Sequence, residues 1–334
     1  MLFVKKNFGF GFRMGKNFAL LVLLVLLPVA HVFAATHQYN ERGYDIKISY
    51  NDTAHPGDAV FVRLDISTPD ITISSQKATG TLVLYVNGSA SRKASFYSLK
   101  DIGEEKSLLA GIPLSTWWTP EVTFRIGITC TVSGKQSAQI ELPFRLIEKK
   151  FDSDTLYLNS SNTSIITNTS TEKKQQSDRL SEIIWKINSD AVYQAAAFTP
   201  PTESKRFTSY FGDRRIYSYS TGGSSTSEHY GNDYGIPTGT SVKACAAGKV
   251  VLAEWRIATG YSVVVEHLPG LYSLYYHMSE LKCKEGDIVK VGDEIGKSGA
   301  TGLATGPHLH WEVRLNGYAV DPIFFTSDFA FQNK

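Results

Sequence analysis

The sequence predicts a mainly β protein made of two successive β-rich domains. Three observations carry the prediction: short apolar–polar alternations dominate both halves, turn-forming dipeptides and glycines separate them, and a Ser/Thr/Asn-rich stretch divides the halves. A chain of 334 residues can hold two modest domains, and 42% apolar with 20% charged residues argues against disorder throughout.

Residues 1–34 read as a secretory signal. Lys5, Lys6, Arg13 and Lys16 form a basic region, residues 18–34 are almost wholly apolar, and Val32-Phe33-Ala34 resembles a small-residue cleavage site. The apolar run falls short of the ~20 residues a membrane span needs and contains Pro28 and His31, so cleavage is favoured over a retained anchor. The expectation is an exported protein of the periplasm or cell envelope with no stable membrane insertion after cleavage. The signal carries four basic and no acidic residues, so its removal takes the formal charge from +2 to −2. With no basic stripe interleaved with aromatics, nucleic acid is not an expected partner.

Residues 36–150 are expected to form an immunoglobulin-like β-sandwich, although a small barrel would produce the same strand spacing. The clearest strands are 59–66, 82–86, 122–132 and 140–146, separated by turn signals such as Pro56-Gly57, Asn87-Gly88 and Ser133-Gly134. Val60, Val62, Leu64, Ile66, Leu82, Leu84, Val86, Ile140, Leu142, Phe144 and Leu146 are the inward candidates. No convergent acid, base or nucleophile set occurs here, which points to targeting, spacing or shielding.

Residues 151–197 read as a solvated linker followed by a short amphipathic helix. Residues 159–171 are nearly all Ser, Thr and Asn, and Leu180, Ile183, Ile184 and Ile187 recur at helical spacing over 177–188. The two halves should then be free to move. Residues 198–326 form the second domain, with strands expected at 248–253, 262–266, 272–277, 288–291 and 308–315. The three cysteines form no CxxC pair. Cys130 falls on an apolar strand face, and Cys245 with Cys283 is the one pair inside a single domain that an exported context could bridge.

Five of the eight histidines lie in the last 106 residues. His229 and Asp233 stand four apart; on a straight strand they would be ~13 Å apart, too far for a metal whose ligand bonds are ~2 Å. The chain must bend between them, and Gly231 is where it could. In the strand 308–315, His308, His310, Glu312 and Arg314 share one face. Two imidazoles about 6.6 Å apart would let one bind a metal while the other reaches a metal-bound water. His277 closes the run Tyr275-Tyr276-His277, and His267 reads as structural. Two histidines and an aspartate leave a fourth position on zinc for water, the arrangement of a catalytic site. No HExxH glutamate is on hand as base, and a histidine near its ordinary pKa can take that role.

His229-x-x-x-Asp233, Tyr276-His277 and Gly306-Pro307-His308-Leu309-His310 resemble, in order and spacing, the motifs of the lysostaphin-type (LytM-like) zinc metallopeptidases. Ser209-Tyr210-Phe211-Gly212-Asp213-Arg214, Gly299-Ala300-Thr301-Gly302 and Val320-Asp321-Pro322 fit the same family, so the resemblance spans about residues 205–325. It implies a duplicated-hybrid-motif β fold, Zn2+ held by His229, Asp233 and His310, and His308 with His277 as catalytic residues. It also implies endopeptidase action on peptidoglycan stem peptides; a monomer is the expectation for the chain. The alternative is a catalytically silent activator or scaffold of another wall hydrolase; a protein-directed exported peptidase would share every catalytic residue. Domain order leaves the front β domain or the helix around Ile183 as candidate covers for the groove.

Overall fold

The computed structural model describes residues 34–41, 43–68, 77–99 and 106–327. Except for Ala34, the segment read as a signal lies outside the described residues. Among the described residues no helix is long and apolar enough to cross a membrane.

The front half is two five-stranded sheets enclosing one core. The first runs in the order Ala34–Glu41, Tyr44–Asn51, Ala59–Ser67, Lys106–Pro113, Tyr97–Ser98; the second runs Thr53–Ala54, Lys135–Leu146, Phe124–Val132, Ala78–Val86, Ser89–Ser95. The alternation seen in the sequence is the cause: Val60, Val62, Leu64 and Ile66 face Leu82, Leu84, Leu142 and Phe144 across that core. All the inward candidates are buried except Val86, which packs at the margin. Cys130 is buried on the same face, and burial pushes its thiol up to about 11.

The strand Lys106–Pro113 is buried at every position, which hides it from an alternation search. Its Leu108, Ala110 and Ile112 join the front core, while Leu109, with Ala59 and Phe61 of the neighbouring strand, joins the core of the second half. Phe61 meets Phe325 edge-on at 6.0 Å and stacks on Phe324 at 6.4 Å. Asn316 donates to the Gly111 carbonyl at 3.0 Å, and Lys149 pairs with Asp321 at 2.7 Å. Burying Phe61 alone contributes roughly 2–3 kcal/mol. The freedom expected between the halves is therefore absent: they share a core.

The run 159–171, read as a solvated linker, contains helix α1 (Ser160–Thr167) and the start of helix α2 (Thr171–Ile184). The same small polar residues that suggest a linker are good N-caps. Asn159 accepts from the Asn162 N–H, and Ser170 from the Lys173 N–H. Helix α2 starts at Thr171 rather than 177 and ends at Ile184, leaving Ile187 exposed.

The second half is built on an eight-stranded sheet. Its order is Phe207–Ser209, Gly231–Tyr234, Leu309–Leu315, Leu271–Met278, Gly260–Leu268, Gly248–Arg256, Ile288–Val289, with Tyr318–Val320 added beside Leu309–Leu315. Leu309, Trp311, Val313 and Leu315 point into the shared core. The other face is covered at one end by Ile184, Ile183 and Leu180 of α2 against Leu252, Val264 and Tyr272. No Cys245–Cys283 bridge forms: Cys245 is buried beside His267, and the Cys283 thiol faces the Ile295 carbonyl at 3.5 Å. His267 is fully buried between Ser273 and the Ala247 carbonyl, a structural position.

Candidate metal centre

Strand register builds the site. Asp233 pairs with His310, and His310 in turn pairs with Tyr276, so these three side chains form a row across adjacent strands. The chain passes from one sheet to the next at His229 and Tyr230, just before Gly231. His229 lies between the strands Ser224–Glu228 and Gly231–Tyr234, and a Cβ on Gly231 would lie 2.3 Å from the Trp311 carbonyl oxygen. That break leaves His229 within reach of Asp233.

Ligand atoms of His229, Asp233 and His310 lie within 4.8 Å of one another, and all three residues are buried. His229 Nε2 is 2.9 Å from His310 Nδ1 and 3.1 Å from Asp233 Oδ1, and His310 Nδ1 is 2.7 Å from that same oxygen. The far side of each ring fixes which nitrogen is bare. His229 Nδ1 donates to the Tyr210 carbonyl at 2.8 Å, and His310 Nε2 donates to Glu312 at 3.1 Å. The lone pairs of His229 Nε2 and His310 Nδ1 then converge on one carboxylate oxygen. Three acceptors facing one point suit a cation, and two nitrogens with one oxygen suit zinc. The residues present fit the metal.

Electrostatics agree with that donor set. Burial alone would raise the Asp233 pKa, but hydrogen bonds and charge from His229 and His310 hold it well below the usual carboxylate range. Burial lowers the His229 pKa. For His310 burial also pulls downward, yet Asp233 and Glu312 outweigh it and lift the pKa to about 9, a measure of how strongly this position favours positive charge.

His308 precedes its strand and is held by its own backbone bridge to Gly299. Its Nδ1 donates to the Gly306 carbonyl at 2.8 Å, and its Nε2 sits 3.8 Å from Asp233 Oδ1. His277 is the penultimate residue of the strand Leu271–Met278 and has φ +62°, a left-handed conformation costly for a residue with a Cβ. Its Nδ1 donates to the Thr301 carbonyl at 2.7 Å, and its ring centroid is 4.7 Å from that of His308. Burial, then the neighbouring His308 and His310, lower its pKa to about 3, so the ring is neutral.

The structure thus brings together all five residues singled out in the sequence, and adds others. Arg215 donates to Asp233 Oδ2 at 2.8 Å and to Ser209 at 2.7 Å, leaving Oδ1 to face the imidazoles. Glu312 joins His310 to Arg314, and the Tyr276 ring stacks on His310 with an interplanar angle of 2°. The shared strand face of His310, Glu312 and Arg314 was visible in the sequence; no spacing signalled Arg215. Ser209, Arg215, Asp233, His277, His308 and His310 line a cavity of about 240 Å³.

Comparison with known proteins follows the same stretch of chain. Residues 227–322 match peptidase family M23. Over 95 residues, 28% of this chain and 22% of the relative, the sequence is 42% identical to the DD-carboxypeptidase/endopeptidase Mpg of Neisseria meningitidis serogroup B. Over 134 residues, 40% of this chain and 30% of the relative, it is 34% identical to the peptidoglycan DD-endopeptidase ShyA of Vibrio cholerae. The matched stretches are therefore under a third of these relatives' own lengths. A crystal structure from Pseudomonas aeruginosa, assigned to peptidase M23, superimposes with a TM-score of 0.54 at 22% identity, over 83% of this chain and 96% of that one. The fold of both halves recurs there.

Proposed function

We propose, from the membership of residues 227–322 in peptidase family M23, that this protein is a zinc-dependent endopeptidase that hydrolyses peptide crosslinks of peptidoglycan in the cell envelope. One observation carries the reading: the two bare imidazole nitrogens and the Asp233 carboxylate oxygen converge at the groove floor beside two further histidines. His229, Asp233 and His310 are the ligand set. The relatives named above supply the substrate class by analogy.

Zinc held there would supply a Lewis acid that acidifies water and polarises a peptide carbonyl. The chain's own residues do the rest. His308 and His277 each commit Nδ1–H to a backbone carbonyl, so the Nε2 of each ring is the nitrogen left to accept a proton. Neither can give a proton before it has taken one. His308, whose Nε2 is nearest the carboxylate, takes the proton of the attacking water. His277, kept neutral by burial, is the acceptor beside it, and the leaving amine receives its proton from this pair. The site needs no glutamate base.

The donor set is complete, which favours an enzyme over a silent activator. The front half completes the picture as an immunoglobulin-like domain, residues 36–150, on a monomer exported by residues 1–34. The test is digestion of purified crosslinked peptidoglycan by the protein, with fragments read by mass spectrometry beside His310→Ala and chelator controls. Release of uncrosslinked stem peptides, lost in both controls, is expected; persistence of activity in either control would overturn the metal mechanism.

A further inference from the structure

One wall of the groove is the three-stranded sheet of Ser153–Tyr157, Arg214–Ser218 and Ser224–Glu228, whose Asp154, Leu156, Arg215 and Tyr217 line the cavity together with Leu158, which follows the first strand. The opposite wall is the segment Leu303 to His308. Helix α1 touches both walls. Asn162 donates to the Ala304 carbonyl of the far wall at 3.0 Å. Thr163 Oγ1 accepts from the backbone N–H of Ser220, at the hairpin tip of the near wall, at 3.0 Å. Leu158, the buried residue before the cap, donates its N–H to the Ser218 carbonyl at 2.9 Å.

The helix is held in an unusual way. Its buried residues are Asn162 and Thr163, both polar; Ile165 and Ile166 remain partly exposed. No apolar face anchors it, and the few hydrogen bonds that do are each modest in net worth. Its far end is tethered by Lys173 of α2, which donates to the Ile165 and Ile166 carbonyls at 2.8 and 2.9 Å. A segment with little apolar burial, held by a few hydrogen bonds along its length, belongs to the parts of a fold that open locally at low cost.

We infer that α1 is a bar across one end of the groove and sets which substrates enter: a peptide that ends near the bond to be cut fits beneath it, and a crosslinked peptide running through the groove enters only when α1 swings away. A strand continuing past this end would have to occupy the space of Leu158 and Asn162. The inference rests on the hydrolase reading above for its substrates, but not for its geometry. The cover is therefore α1, rather than the front β domain or the helix around Ile183.

The test compares the full chain with Asn162→Ala/Thr163→Ala on two probes, an uncrosslinked stem peptide and a purified crosslinked muropeptide dimer. Turnover of the dimer should rise about tenfold in the variant, with the stem peptide changed less than twofold. Binding is read separately in a His308→Ala background, where releasing the bar should tighten dimer affinity about tenfold. Unchanged dimer affinity overturns the bar, whatever the turnover. Tighter dimer binding without turnover in any zinc-loaded variant keeps the bar and removes the hydrolase reading. If the double variant fails to fold, Ser220→Ala, which removes the second bond between wall and helix, donated by Ser220 Oγ to Thr163 Oγ1 at 3.0 Å, takes its place with a two- to threefold shift expected.

Discussion

Replacing Glu312 by Gln separates two jobs that one buried carboxylate performs. Its Oε1 accepts from His310 Nε2 at 3.1 Å, and its Oε2 accepts from Arg314 Nε at 2.7 Å. Burial would raise its pKa, but Arg314 and His310 outweigh that and lower it to about 2. The first job fixes the His310 ring and raises its basicity toward a metal; losing such a partner typically costs 10–100-fold in metal affinity, about 1.4–2.7 kcal/mol. The second job neutralises Arg314, whose side chain is 14% exposed and lies over the Tyr230 ring. Breaking a buried pair from one side costs about 3–5 kcal/mol, and Gln, which keeps an acceptor, should fall near the lower value. Adding Arg314→Met removes the stranded charge. The double variant should then regain most of the lost stability, read by thermal unfolding, while its zinc affinity, read by competition with a chromogenic chelator, stays weak. Wild-type zinc affinity in Glu312→Gln, or recovery of affinity together with stability in the double variant, would refute the argument that Glu312 acts through His310.

Arg215 should matter through Asp233, whose Oδ2 it holds. Arg215→Ala is expected to weaken zinc binding about tenfold in the same competition assay, with Arg215→Lys recovering part of it because a single ammonium cannot span Asp233 and Ser209 as the guanidinium does. Asp58 predicts a pH dependence away from the site. Burial, opposed by the His55 N–H bond and joined by Asp321, raises its pKa from 3.8 to about 6. The folded state thus holds this proton longer than the unfolded chain, so its contribution to stability falls as pH rises from about 4 to 6, by up to ~3 kcal/mol. Asp58→Asn should flatten that part of the profile of unfolding temperature against pH; an unchanged profile would remove Asp58 as its source.

The parts of this molecule that were legible in the sequence are those whose local pattern and spatial role coincide. His310 sits on a strand whose other face is Leu309, Trp311, Val313 and Leu315, with His308 one residue before that strand, so alternation alone separates site from core. Metal-bond lengths required a break in the strand between His229 and Asp233; the structure places it at His229 and Tyr230, and Gly231, where the bend was expected, already opens the next strand. Phe61 shows the opposite case. It lies on the face of its strand opposite Val60, Val62 and Leu64, and only the second half of the chain explains why that face is apolar. Helix α1 was hidden for a different reason: Ser, Thr and Asn suit caps and linkers equally, and what decides is whether Asn162 and Thr163 find partners on groove walls far along the chain. Arg215 had no local signal because its partners, Ser209 and Asp233, flank it in space and lie on two other strands.

The shared core also changes what the front half does for the metal centre. Asn232 sits between Gly231 and the proposed ligand Asp233 on the opposite strand face, and it is buried. It accepts from the Phe211 N–H at 3.0 Å and donates to Asp321 at 3.3 Å. Asp321 in turn pairs with Lys149, and its N–H donates to the Gly57 carbonyl at 2.8 Å. Gly57 itself admits Phe211 so closely that a Cβ there would lie 2.4 Å from its ring. A continuous set of contacts therefore runs from the front sheet to the residue that precedes a ligand. Removing the front half would expose Phe325 and strip Asp321 of its Lys149 and Gly57 partners, loosening the strand that carries Asp233 from behind. The front half is a buttress of the site's rear face, and the groove's accessibility is set on the other side, by α1.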